Sequence, residues 1–387
     1  MSTPPHTRRD EAIAQLRASS AELCPGQKVT AELFRPEDAP GVGRLFFQVY
    51  GDSYPVDVPY VPELLIEAYQ SGRIHTVVAR VPDGSIVGQT AIFHSSPPNL
   101  RMYEYGQMLV DKVYRNSFAA YRMHQFASKN MFGQMEGIDA LYGEAVCHHV
   151  ITQKMSVTCD FKECGLELGL MPESAYSGEG VTGRVSCLLH VRLDVVGTGP
   201  LCIPACWREQ VEATLPTWPL TRDIRVSEPK TAAPAGSLSQ VDIRHFDFTG
   251  VTRVTLAAIG ADFAARMDQA VAEARSRDFT MVQFFVSLGE AWTGQAAEHL
   301  QTLGCFYGGY FPQWFGEQGA GPDGLLVQLL LKPIHLAPII ALTERGQAVV
   351  RRVLVDLQRA CREFGAPVAA NQPDLDALGP EKRNKPE

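Results

Sequence analysis

Two stretches of this chain pass through the same order of strand, helix, glycine-rich segment and strand. This echo limits the fold more than any other feature. In the first stretch, Leu141 to Cys147 reads as a strand and Thr152 to Thr158 as a short helix. Cys164-Gly165-Leu166-Glu167-Leu168-Gly169-Leu170-Met171-Pro172 follows, and Val185 to Leu193 reads as a further strand. In the second, strand Met281 to Val286 leads to helix Gln295 to Leu303. Gly304-Cys305-Phe306-Tyr307-Gly308-Gly309-Tyr310-Phe311-Pro312 comes next, then strand Leu325 to Leu331. Gly169 to Pro172 and Gly309 to Pro312 share one spacing. Two similar units in tandem account for this; chance recurrence of Gly/Pro turns is the alternative. The 387 residues leave room for two or three domains.

Strand and helix patterns alternate around the echo. Val29 to Phe34 reads as a strand, and Arg35-Pro36-Glu37-Asp38 turns into helix Ala39 to Tyr50, with Pro36 in a first turn that needs no backbone donor. His75 to Val81 and Ile86 to His94 are strands joined by Pro82-Asp83-Gly84, and Tyr103 to Val110 is another. Helix Phe118 to Met135 and strand Ala140 to His148 follow. Six of the 26 prolines crowd residues 197–236 and mark a connector, within which Cys206 to Thr214 is one short helix. Beyond it lie strands Gln240 to Phe248 and Val251 to Ala258 and helix Ala264 to Arg275. Thr343 to Phe364 is an amphipathic helix that Gly365 caps. The expected organisation is a helical extension (1–26), a first α/β unit (27–196), the connector (197–236), a second unit (237–335), a C-terminal helix (336–365) and a disordered tail (366–387). The expected fold class is α/β (α+β), with mixed, mostly antiparallel sheets flanked by helices.

An apolar content of 45% excludes a wholly disordered chain, and a net charge of −8 argues against a diffuse basic surface for nucleic acid or anionic lipid. The most apolar stretch, Leu325 to Leu342, is interrupted by Gln328, Lys332, Pro333 and His335, so no membrane span is expected. The polar start has no apolar targeting segment behind it, and the nine cysteines contain no CxxC pair. Both point to reduced thiols in the cytoplasm. Cys147-His148-His149, Cys159 and Cys164 lack the tight ligand pairs of a zinc site, so no metal is expected. Cys147 would act as a nucleophile only with a lowered pKa. The aromatic cluster from Phe306 to Phe315 reads as packing between the two units.

Val110-Asp111-Lys112-Val113-Tyr114-Arg115-Asn116-Ser117-Phe118-Ala119-Ala120 is the most informative segment, because a strand ends there and a helix begins. Unpaired N–H groups at a helix start favour an anion. From Val110 to Lys129 there are four basic side chains (Lys112, Arg115, Arg122, Lys129) against Asp111. A phosphate site is one reading, and a basic solvated helix face is the other.

Arg115-x-x-Phe118-x-Ala120 after a strand resembles the acyl-CoA pyrophosphate loop of the GNAT acetyltransferase superfamily. Arg35 to Asp38, Val87-Gly88-Gln89-Thr90-Ala91, and Phe161 with Gly165 to Gly169 resemble other parts of that fold. Tyr50-Gly51-Asp52-Ser53-Tyr54-Pro55 and Ile203-Pro204-Ala205 are similar to bacterial GNAT-like modules built as a tandem. The resemblance implies acetyl-CoA or a related acyl-CoA as co-substrate, bound by Met108, Leu109, Val110, Arg115, Asn116, Ser117, Phe118, Ala119 and Ala120. His149 lies where relatives carry an asparagine on the cofactor; a core or capping histidine is the alternative. The implied activity is acyl transfer to an amine on a small molecule or peptide, which needs a base and oxyanion donors. Glu104 lies six residues before Val110, so strand alternation places both on one face. It is the first candidate for the base, against a surface carboxylate at a strand end. Glu144 and His148 are candidates for a water relay. Asp52 and Asp57, in the acceptor-side loop, either meet a cationic amine or are solvated. Phe118 stands where the family has glycine, and Ser156 where many relatives have a tyrosine acid. Gly260-Ala261-Asp262-Phe263, the equivalent turn of the second unit, carries an acid and no arginine. A non-catalytic CoA-sensing or protein-interaction module therefore remains the rival, and a homodimer stays open.

Overall fold

The computed structural model describes residues 5–19, 23–52, 54, 56–316, 321–376 and 378. Ser53 and Pro55 of the resemblance, and 377 and 379–387 of the expected tail, lie outside these. The chain divides into two compact units, Met1–Ser96 with Tyr103–Ile138 and Pro97–Met102 with Asp139–Glu387. The division falls inside the 27–196 span that the sequence groups together.

In the first unit α1 (Pro5–Ala18), β1 (Thr30–Leu33), α2 (Ala39–Tyr50), α3 (Pro62–Gln70), β2 (Ile74–Arg80), β3 (Ile86–Phe93), β4 (Met102–Val110) and α4 (Ala119–Asn130) follow in order. The four strands form an antiparallel meander. Asp38 accepts the Arg35 N–H at 2.9 Å, which fixes the Pro36–Asp38 turn before α2. Val42, Leu45 and Phe46 of α2 and Leu65 of α3 share a core with Phe34, Val78, Ala91 and Leu109. α4 packs across β1, β2 and β3. A Cβ on Gly88 would stand 2.9 Å from Met123 Cε, so glycine lets this helix approach. α4 stops at Asn130, short of the expected Met135.

The second unit contains β5 (Ala140–Val146), α5 (Ile151–Thr158), β6 (Lys162–Met171), β7 (Val185–Leu193), β8 (Thr198–Pro204), α6 (Arg208–Thr214), β9 (Thr221–Ser227), β10 (Gln240–Phe246) and β11 (Val251–Ala258). α7 (Phe263–Ser276), β12 (Met281–Ser287), α8 (Thr293–Thr302), β13 (Phe306–Phe311), β14 (Gly324–Leu330), β15 (Ile334–His335), α9 (Glu344–Phe364) and β16 (Ala369–Ala370) complete it. Its main sheet runs β5-β7-β6-β13-β14-β12-β11-β10, and every pair is antiparallel except β11 with β12. The runs β5-β7-β6 and β12-β14-β13 have the same order and pairing sense, with α5 and α8 in matching places, so the echo in the sequence has a counterpart in the strand order. They meet where Gly309 pairs with Gly165. A Cβ on Gly165 would stand 2.9 Å from the Gly308 carbonyl oxygen, so only glycine permits this approach.

Past that point Gln328 of β14 stands in for a strand partner. Its Nε2 donates to the Leu166 carbonyl and its Oε1 accepts the Leu168 N–H, each at 2.9 Å. Arg253 and Glu167 form a buried ion pair at 2.6 Å, to which Gln283 adds a hydrogen bond to Glu167 at 3.0 Å. Phe285 stacks on Trp314 with ring centres 4.8 Å apart, and Tyr142 of β5 meets Trp314 edge-on at 5.2 Å. The aromatic cluster thus packs the two runs together.

Further features depart from the expected elements. The segments around Gly169 and Gly309 are strands β6 and β13. The proline-rich connector holds β8 paired in parallel with β9. Ala369–Ala370 pairs with Ile334–His335, and Ala366 and Ala369 are buried, so the start of the expected disordered tail is structured. All nine cysteines are free thiols. Among the described residues no helix is long and apolar enough to cross a membrane.

Candidate functional site

In the first unit, β4 pairs Glu104 with Phe93 and Gly106 with Ala91, then Leu109 with Gln89 and Val110 with Gly88. The extra residue between Gly106 and Leu109 makes a β-bulge, and Gln107 takes a left-handed φ of 52°. The bulge overturns the expected shared face of Glu104 and Val110. Alternation slips by one residue, and Glu104 shares its face with Leu109. Two β3 side chains satisfy the carbonyls that the bulge frees: Thr90 Oγ1 donates to Gly106 O at 3.0 Å and Gln89 Nε2 to Gln107 O at 2.9 Å. In a trans peptide the N–H opposes the C=O, so the Met108 N–H points away from Gln89.

Glu104 is half-buried, and its carboxylate lies over Gly106, where a Cβ would stand 2.8 Å from Oε1. Tyr54 reaches the same place, its hydroxyl accepting from Gln107 Nε2 at 3.2 Å. Burial raises the Tyr54 pKa, and the charge of Glu104 adds to the effect. Gln107, Tyr54 and Thr90 are site residues that the sequence reading misses. Gly106 inside a strand pattern is the signal that points to a bulge.

Past β4, Asp111 is buried and accepts the Val113 N–H at 2.8 Å, shaping the Lys112–Tyr114 turn. The buried Tyr114 donates its hydroxyl proton to the Cys24 carbonyl, and Arg122 donates to Val29 O, so both anchor the segment. Lys112, Arg115, Asn116 and Ser117 are exposed. Neither Lys112 nor Arg115 has an ion-pair partner among the described residues. Ser117 Oγ accepts the Ala119 N–H at 3.2 Å, while the Ala120 and Tyr121 amides have no partner among the described residues. Ala119 is buried, and Phe118 is 73% exposed with its ring turned outward. The open amides and two uncommitted cations make this turn a candidate anion site.

The other candidates belong to the second unit. Glu144, on β5, is half-buried; burial pushes its pKa up and Arg253 pulls it back. His148 lies past the end of β5, with its ring 4.7 Å from Tyr176 and 4.5 Å from His149. His149 Nδ1 accepts the Ile151 N–H at 3.3 Å, one residue ahead of the Val150 N-cap of α5. Ser156 donates to the Thr152 carbonyl of its own helix at 3.1 Å. Burial pushes the Cys147 thiol up to about 12, the opposite of nucleophile activation.

The turn between β11 and α7 occupies the equivalent place in its run, and its amides from Ile259 to Ala261 are spent inside the protein. Glu290 Oε2 accepts the Ile259 N–H at 2.7 Å, Ser239 Oγ accepts the Gly260 N–H at 2.9 Å, and the Ser237 carbonyl accepts the Ala261 N–H at 3.0 Å. Asp262 Oδ1 accepts the Ser239 N–H at 2.7 Å. A Cβ on Gly260 would overlap the Leu238–Ser239 backbone.

No family model and no curated protein matches the sequence. Among solved structures, ribosomal-protein-S5-alanine acetyltransferase from Vibrio fischeri is 11% identical, covers 44% of this chain and 96% of its own, and aligns at a TM-score of 0.35. Spermidine/spermine N-acetyltransferase from Vibrio cholerae is 12% identical over 43% of this chain and 93% of its own, at 0.33. A proposed GNAT-family acetyltransferase from Desulfovibrio desulfuricans is 14% identical over 43% of this chain and 100% of its own, at 0.32. These neighbours are acetyltransferases that align over less than half of this chain. The mixed α/β, mostly antiparallel class of this chain rests on the strand pairing above.

Proposed function

We propose that this chain is a tandem GNAT-like protein whose first half transfers an acyl group from acetyl-CoA or a related thioester to an amine. One observation carries the reading: the β4 bulge leads within a few residues into a turn with open amides and two unpaired cations. Lys112, Arg115 and the N–H groups at the start of α4 would hold the pyrophosphate. The outward Phe118 leaves those amides uncovered, which answers the loss of the family glycine. The Met108 N–H is the oxyanion donor. Glu104 takes a proton from the acceptor ammonium; the freed amine attacks the thioester carbonyl, the C–S bond breaks, and the proton that the nitrogen loses as the amide forms balances the departing thiolate.

The rival reading, a CoA-binding or partner-binding module without turnover, is favoured by Ser156, whose hydroxyl is committed to its own helix. A thermal-shift titration with acetyl-CoA on the full chain and on Arg115→Ala tests the first step, because a ligand that binds only the native state raises its stability. A saturable shift that the variant loses supports the site, and no shift with any acyl-CoA overturns it. Acylation of amines then separates enzyme from module.

A further inference from the structure

α1 is held to the first unit by little apolar burial. Among its described side chains only Ile13 is buried, with Ala12 and Leu16 partly so. A cavity of about 310 Å³ remains between α1 and α2, bordered by Leu16, Gly41, Arg44 and Tyr60. Arg9 is the exception on this helix, with only 17% of its side chain exposed. Its Nη1 donates to Asp57 Oδ1 at 2.6 Å, and its Nη2 to the Asp52 and Tyr54 carbonyls at 2.8 and 2.7 Å. Its guanidinium carbon lies 4.9 Å from the centre of the buried Tyr60 ring. A carboxylate, two carbonyls and an aromatic face thus enclose one cation.

The receiving groups are braced independently of Arg9. Tyr60 Oη donates to Gly51 O at 2.8 Å and accepts the Tyr54 N–H at 3.2 Å. The Tyr54 ring packs on Tyr50 and Phe46 at 5.1 and 4.9 Å, and its hydroxyl accepts from Gln107 at the β4 bulge. Arg17 pairs with Asp52 at 3.3 Å on the exposed rim.

We propose that Asp52, Tyr54, Asp57 and Tyr60 form a cradle for a guanidinium or primary ammonium group, and that Arg9 is its resident, displaceable occupant. α1 is then an internal competitor for cationic amines: when it lifts, the cradle empties beside the residue that braces the bulge. Only the step that makes such an amine the acyl acceptor rests on the acyl-transfer reading.

Agmatine, which carries both cationic groups, is the probe. Calorimetric titration of the full chain is expected to show binding to Arg9→Ala at least tenfold tighter than to the unaltered chain, with Arg9→Ala/Asp57→Ala returning to the weaker level. Arg9→Lys, which keeps a cation in place, stays near the unaltered chain. Equal or absent binding in the unaltered chain and Arg9→Ala overturns the proposal, as does tight binding that survives loss of Asp57. Arg9→Gln, which also removes the cation, repeats the test in the full chain if Arg9→Ala melts abnormally. An acetyl-CoA thermal shift recorded on the same variants reports separately on the acyl-CoA site, so either reading can fail alone.

Discussion

The turn after β4 and the turn after β11 start from the same local plan, a strand running into a helix, and end in opposite states. In the first, neither Lys112 nor Arg115 has an ion-pair partner among the described residues, and the Ala120 and Tyr121 amides have no acceptor among them. In the second, every amide from Ile259 to Ala261 is taken by Glu290, Ser239 or Ser237, and Asp262 turns back on Ser239. Helix-start amides are anion donors by default. What differs is the charge set beside the helix start, Lys112 and Arg115 at the first turn and the Asp262 carboxylate at the second.

The largest effect that sharpens this contrast concerns turnover. Glu104→Gln is expected to lower amine acylation by about 10²- to 10⁴-fold, leaving the acetyl-CoA shift unchanged; unchanged turnover removes Glu104 from the chemistry. Gly260→Ala forces a Cβ into the Leu238–Ser239 backbone and is expected to cost about 1–3 kcal/mol in a denaturant melt. At the open turn, Phe118→Ala is expected to stay within about 0.5 kcal/mol of the parent, since the ring is exposed. A large loss there would mean that Phe118 packs on something.

The smallest effect is a pH slope. Burial raises the Glu290 pKa, against the pull of its bonds from Ile259 and Trp292. A carboxyl whose folded pKa lies above its unfolded value binds more protons when folded, so its stabilisation is complete below the unfolded value and fades as pH rises through the folded one. Glu290→Gln is expected to flatten that decline in melts above pH 4.5; an unchanged slope assigns it elsewhere.

How much of this was readable from sequence depends on what each position must satisfy. α2, β7 and β11 follow the expected spans because apolar periodicity alone sets them. β6 carries Gly165 and Gly169, and those glycines imitate a turn although Gly165 is there to let β13 approach. The prolines around β8 and β9 hide a parallel pair in the same way. At the site, the basic turn was legible from charge and position. Gly106 hints at a bulge, but its exact place and its effect on register were not legible, because the left-handed residue is Gln107 and its cost is met by Gln89 and Thr90, distant in sequence. Its consequence, the slip that separates Glu104 from Val110, was hidden with it.

On the proposed reading, anion recognition belongs to the open turn alone. Hydrogen exchange of the full chain with and without acetyl-CoA tests it most directly. Ligand-dependent protection is expected across residues 111–121 and none across 259–264. Protection at the second turn, or at neither, would contradict it.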